Sequence, residues 1–146
     1  MSSFSVQAQG TTKASPGAVW ALVSDVTKYP EWGPWDSSGH EGSPERGVGE
    51  VRVLHRGRTT TVEKVLESEK HRRLVYTVVS GVPARNYRAE VGLAPVPSGT
   101  EVTWSATWDR TVGGWFVQRA LCRFYPQMMA QLLAAAERSE TARPQA

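Results

Sequence analysis

The sequence predicts an α+β fold in which a curved antiparallel sheet of about six to seven strands wraps around one long C-terminal helix. Three observations carry this. From about Gly39 to Trp108, apolar residues recur at every second position between turns containing Gly or Pro, the period of half-buried strands. From Gly113 onward the apolar residues recur every three or four positions, the period of a helix face. An antiparallel sheet with one apolar face must cover that face, and this last segment is the only one long enough to do so. With 146 residues, one domain accounts for the chain: a folded unit over 1–138, then a polar tail over 139–146 expected to fray.

The N-terminal third opens with a strand over Phe4–Thr12, where Phe4, Val6 and Ala8 alternate with polar residues. A short helix follows. Ser15 can accept hydrogen bonds from its first free N–H groups, and Pro16 takes the first helical position, where a missing donor costs nothing. Ala18, Val19, Leu22, Val23 and Val26 form its apolar face, and Pro30 bars its continuation. The stretch VTKYPEWGPWDSSG, residues 26–39, holds Pro30, Pro34, Gly33 and Gly39 and should be loop or broken helix. It also holds Tyr29, Trp32 and Trp35. Three large aromatics in so short a connection must pack onto something or be held around something.

In the strand region, VGEVRVLHR places Val51, Val53 and His55 on one face, expected inward, and Arg52, Leu54 and Arg56 on the other. A turn near Gly57 leads to RTTTVEKVLESE. The next strand puts Leu74, Tyr76 and Val78 on one side, and the GVPARN turn leads to one carrying Tyr87, Ala89, Val91 and Leu93. The last carries Val102, Trp104, Ala106 and Trp108. Such short turns imply antiparallel neighbours, because parallel ones need long crossovers. In the final helix Val117, Leu121, Phe124, Met128, Leu132 and Ala135 share a face, and Pro126 should bend it near its middle. Trp20 is expected in the core and Trp115 as an anchor for the long helix.

Composition narrows the function. The 17 basic and 14 acidic residues are interspersed, and the densest basic spots, His71-Arg72-Arg73 and the pair Arg52 and Arg56, read as solvated strand surface, so no nucleic-acid partner is expected. His40, His55 and His71 show no metal-site spacing, so neither metal nor cofactor is expected. Gly47-Val48-Gly49 lacks a following helix and reads as a tight turn, not a phosphate loop. There is no Gly-x-Ser-x-Gly. The lone Cys122 forms no intrachain disulfide and, beside Leu121 and Phe124, reads as a small buried hydrophobe in a reducing compartment. With neither a signal-peptide pattern nor an apolar run long enough to span a bilayer, a cytoplasmic location is expected. An open sheet leaves an edge that a second chain can cover, so a homodimer is possible.

The segments ASPGAVWALVSDVTKYPEW, GVGEV, LVYTVVSGVPARNY and SGTEVTWSATW, in this order, resemble the START-like (Bet v 1-like, SRPBCC) superfamily, and within it the polyketide cyclase/dehydrase and lipid-transport type. The resemblance covers about residues 3–138. It implies a helix-grip fold, with two short helices after the first strand, and a cavity between the sheet and the long helix. Carried onto this chain, the ligand-binding wall would be Trp32, Trp35, Val53, His55, Tyr76, Val78, Tyr87, Ala89, Val91, Trp104, Trp108, Phe124, Met128 and Met129. Such a pocket suits a small hydrophobic ligand such as a lipid, polyketide or isoprenoid. Binding or transport is the favoured reading. The alternative is an aromatase/cyclase acting on a bound poly-keto or aromatic substrate, with His55, Tyr87 and Arg85 as candidate catalytic groups and Tyr76 beside them. A third is a protein-interaction module.

Overall fold

A computed structural model describes residues 3–42 and 47–142. Strand β1 (Ser3–Thr12) is followed by helix α1 (Pro16–Val23), a 3-10 turn (Val26–Lys28), and the one-turn helix α2 (Tyr29–Trp32). Then come β2 (Ser37–His40), β3 (Val51–Arg56), β4 (Thr59–Glu69), β5 (Arg73–Ser80), β6 (Arg88–Val96), β7 (Gly99–Asp109) and α3 (Trp115–Ala142). The seven strands form one antiparallel sheet in the order β1-β7-β6-β5-β4-β3-β2. This is the expected α+β helix-grip-like architecture, a curved sheet with a long C-terminal helix.

The topology follows from the connections. β3 to β7 is a meander joined by short turns, β2 pairs with β3 across a longer connection, and β1 returns to pair with β7. The α1–α2 segment therefore carries the chain from one edge of the sheet to the other. Ser15 Oγ caps α1 by accepting from Ala18 N at 3.2 Å, and Pro16 sits in the first turn, as the sequence predicts. Pro30 ends nothing by itself: it lies in the first turn of α2, where a missing donor is tolerated. The strand β2 was not legible. Its SSGH has no apolar alternation, and only the pairing of Ser37 with His55 through His40 with Arg52 makes it a strand.

Helix α3 packs against β1 and α1. Gly10 permits the approach to β1: a Cβ there would lie 2.5 Å from Leu133 Cδ1. Further along, Thr12 Oγ1 donates to Glu137 Oε1 at 3.2 Å, and Ser15 Oγ lies 3.3 Å from Glu140 Oε2, tying the end of α3 to the β1–α1 loop. The helix runs through Pro126, whose side is exposed, and continues to Ala142, four residues past the expected boundary. The remainder of the expected tail, 143–146, lies outside the described residues.

Three sequence expectations do not hold in the structure. In β3, Arg52 and Leu54 are the buried residues, 0% and 1% exposed, while Val51 and Val53 are only half-buried and His55 is exposed. The inward face is the opposite one: Arg52 is paired inside through Nη1 and Nη2, while its Nε is buried without a hydrogen-bond partner among the described residues. Cys122 is exposed, since it lies on the solvent side of α3. Trp115 does not anchor the helix: it is 53% exposed and stacks on Phe116.

Two irregularities bend the central strands. The pairing of β4 with β5 skips Val79 between Val62/Ser80 and Glu63/Val78, and skips Leu66 between Val65/Tyr76 and Glu67/Val75. Each unpaired residue is a β-bulge, which increases local twist and re-aims side chains. Between the bulges, Glu63 and Val65 point into the protein, on the same side as Tyr76.

Candidate functional site

The three loop aromatics divide. Tyr29 and Trp32 belong to the core, 1% and 5% exposed, and each is tied down by a hydrogen bond: Tyr29 Oη donates to Val23 O at 2.8 Å and Trp32 Nε1 to Leu22 O at 3.3 Å. Trp35 packs edge-on to Trp32 and Phe124, at centroid distances of 5.4 and 5.9 Å, and reaches the space between sheet and helix. Gly33 makes this placement possible, because a Cβ there would lie 2.3 Å from Trp35 Cζ3. The Gly33→Ala protein should therefore lose about 1–3 kcal/mol of stability. Its Trp35 indole N–H resonance, assigned with a Trp35→Phe variant, should shift more than that of Trp20.

The space that Trp35 borders is a cavity of about 470 Å³ between β3–β5 and the first half of α3. Its apolar wall consists of Trp35, Val78, Val82, Ala120, Leu121, Phe124 and Met128. Its polar lining comes from Arg56, Thr59, Thr61, Glu63, Tyr76, Tyr87 and Tyr125. Arg56 sits at the β3–β4 turn with its guanidinium carbon 4.9 Å from the centre of the Phe124 ring. That turn is held to the loop after α2 by Gly57 N donating to Asp36 Oδ2 at 2.7 Å.

Beneath the cavity lies a buried ion pair. Arg52 Nη2 donates to Glu63 Oε1 at 2.6 Å, and Nη1 reaches Val23 O at 3.3 Å and Tyr29 Oη at 3.2 Å. The rings of Tyr29 and Tyr76 flank the guanidinium at 5.2 and 5.1 Å. Arg52 and Glu63 are cross-strand partners, so the β3–β4 register itself places the charges together. Burial works against the Arg52 charge, but its neighbours raise its pKa on balance, and the guanidinium is protonated. Burial pushes the Glu63 carboxyl above the usual carboxylate range, against the opposing pull of Arg52. Glu63 Oε2 accepts no hydrogen bond from the described residues, and Glu63 lines the cavity.

The tyrosines are directional. Trp104 Nε1, which can only donate, donates to Tyr76 Oη at 3.0 Å, so the Tyr76 proton remains free for another acceptor. Tyr87 and Tyr125 share a hydrogen bond between their hydroxyls, which leaves one of the two protons unused. Burial pushes Tyr29 up to about 12 and raises Tyr76, Tyr87 and Tyr125 as well. All four are neutral phenols at physiological pH.

Of the wall positions expected from sequence, Trp35, Tyr76, Val78, Tyr87, Phe124 and Met128 border this cavity. Trp32, Ala89, Val91, Trp104, Trp108 and Met129 are instead buried among other side chains of the core. Val53 and His55 fall on the other face of β3, where His55 Nδ1 lies 3.0 Å from Thr60 Oγ1. Arg85 is exposed in the β5–β6 turn and borders no part of the cavity. Sequence reasoning missed Glu63 and Tyr125. Glu63 sits in a strand whose parity a bulge resets, and Tyr125 lies one position from the apolar stripe of the helix; the signal in the sequence is a Glu opposite an Arg in adjacent strands. Among the described residues no group of His, Cys, Asp and Glu is arranged to hold a metal ion, and no helix is long and apolar enough to cross a membrane.

Comparison with known proteins gives a consistent placement. The XoxI protein of Bacillus cereus has a similar structure, with a TM-score of 0.74 at 22% identity over 92% of this chain and 95% of that one. A Nitrosospira multiformis protein matches with a TM-score of 0.70 at 21% identity, covering 89% of this chain and 94% of its own. One from Chromobacterium violaceum gives 0.66 at 16% identity, covering 92% and 98%. At these identities the likeness concerns the fold alone. A search of curated proteins finds no match. The family model described as polyketide cyclase/dehydrase and lipid transport matches residues 3–139, nearly the whole chain, and the protein belongs to that family.

Proposed function

We propose that the protein binds a small, mainly apolar molecule with an oxygen-bearing end in the cavity between the sheet and α3. The observation that carries this reading is the mixed lining of the cavity: the apolar side chains of Trp35, Val78, Leu121, Phe124 and Met128 are accompanied by polar groups that include Glu63, Tyr76, Tyr87 and Tyr125. Apolar walls supply affinity and a few placed polar groups set orientation. A ligand carbonyl or ether oxygen suits the free proton of Tyr76, and a ligand hydroxyl suits Glu63 Oε2. The lipid-transport part of the family's description supports binding of this kind, which would take place in the cytoplasm, by a monomer or a homodimer.

A second reading, cyclase or dehydrase chemistry on the bound molecule, is favoured by one specific observation. Glu63 combines a raised carboxyl pKa with a free oxygen, and Tyr76 offers a proton donor in the same cavity. These two replace His55 and Arg85 as the candidate acid–base groups.

Native mass spectrometry of the protein purified from its own host, followed by denaturing extraction, tests the binding reading. A stoichiometric small hydrophobic passenger is expected. Conversion of that passenger to a new product on incubation, lost in a Glu63→Gln variant, would assign the enzyme reading. An empty protein that also takes up no added hydrophobic molecule would overturn both.

A further inference from the structure

The first two turns of α3 and the loop before them expose a face that the cavity does not explain. Val112 is fully exposed, and Trp115 and Phe116 are 53% and 64% exposed. The two rings stack on each other at a centroid distance of 3.7 Å instead of turning into the core. The neighbouring backbone, not these rings, packs on the core there: a Cβ at Gly114 would come within 2.8 Å of the Phe4 ring, which Arg110 covers from 4.7 Å. The apolar tip is therefore built outward. Large aromatics held at a surface mark a place where an apolar partner is met.

The charge around the tip says which partner. Arg119 and Arg123 follow Trp115 at intervals of four along α3, so they share its face, and both are exposed, as is Arg110. From Arg110 to Ala136 the chain contains no Asp or Glu. The nearest acid on the N-terminal side, Asp109, accepts a hydrogen bond from Asn86 Nδ2 at 2.7 Å. Aromatic and aliphatic side chains at the tip, ringed by arginines without acidic partners among the described residues, match the two layers of an anionic lipid surface: acyl boundary below, phosphate above.

We propose that Val112, Trp115 and Phe116 dock the protein on anionic membranes, with Arg110, Arg119 and Arg123 contacting lipid phosphates. Docking there sets α3 at the bilayer, and one turn beyond Phe116 the same helix contributes Ala120 and Leu121 to the cavity. The surface thus lies beside a path by which an apolar ligand passes between bilayer and cavity. That path rests on the binding reading above, whereas the docking surface does not.

Flotation with phosphatidylcholine vesicles, with and without phosphatidylglycerol, tests the proposal. The wild-type protein should float with the phosphatidylglycerol-containing vesicles. The W115S/F116S and R119E/R123E variants should each be recovered about tenfold less, with unchanged thermal melting because these side chains are exposed. A Val78→Trp variant with a filled cavity should float like wild type, so failure of the cavity reading and failure of docking are distinguishable. Wild-type protein that floats with neither vesicle, or variants that float as wild type does, would overturn docking. So would a wild-type dimer without vesicle binding that W115S/F116S converts to monomer, since the tip would then be covered by a second copy.

Discussion

The Arg52→Met protein is expected to be less stable than wild type by about 3–5 kcal/mol in urea melts at neutral pH, because removing one member of a buried pair leaves the other charge uncompensated. Methionine keeps much of the side-chain volume, so the loss reports charge more than packing. The effect should depend on pH with a definite sign. Glu63 holds its proton more tightly when folded than when unfolded, and loss of Arg52 removes the one strong influence that opposes burial. Folding is then most favourable below the ordinary carboxyl value of 4.5, where Glu63 is protonated in both states. Stability from this group falls as pH rises from there through the raised folded pKa. Other carboxylates titrate in the same range, among them Glu67, whose pKa is lowered mainly by its hydrogen bond from Arg88. The R52M/E63Q protein is therefore the reference: the difference between it and R52M should grow with pH. A wild-type-like R52M melt would mean that the β3 face assigned here is wrong.

Filling the cavity should abolish most ligand binding while leaving the fold intact. Val78 is half-buried and borders the cavity next to the tyrosine cluster, so Val78→Trp places an indole where the ligand would lie. If the indole displaces roughly 100 Å² of ligand contact, at ~25 cal/mol per Å² the loss is about 2.5 kcal/mol, a little under a hundredfold in Kd. Titration with the molecule recovered from the native protein measures this. Unchanged affinity in a folded V78W protein would place the ligand elsewhere. The companion variant His55→Ala should bind like wild type, since His55 lies on the outer face of β3.

These two experiments separate the roles of neighbouring groups. Arg52 is a positioning residue: it holds Glu63 Oε1 and leaves Oε2 free, but does not itself border the cavity. Val78 touches the ligand space and carries no charge. A change at the first should alter stability and its pH dependence, and a change at the second should alter affinity alone.

Apart from β2, the elements, the antiparallel run from β3 to β7 and the covering helix are written in the sequence, because each rests on local information: alternation, helical spacing, the Ser15-Pro16 cap and the short turns. The site was legible where a strand keeps strict alternation, as from Tyr76 to Val78 in β5. It was not legible in β3, where Val51 and Val53 on one face and Leu54 on the other make the apolar pattern nearly symmetric, and a one-residue shift exchanges the faces. That Arg52 is inside follows from contacts distant in sequence. Its partners Val23, Tyr29 and Glu63 come from α1, α2 and β4 and meet only when the α1–α2 segment has crossed the sheet. The same holds for the loop aromatics: composition requires that Tyr29, Trp32 and Trp35 find cover, but the bare Cα of Gly33 and the nearby Phe124 decide that Trp35 alone faces the cavity.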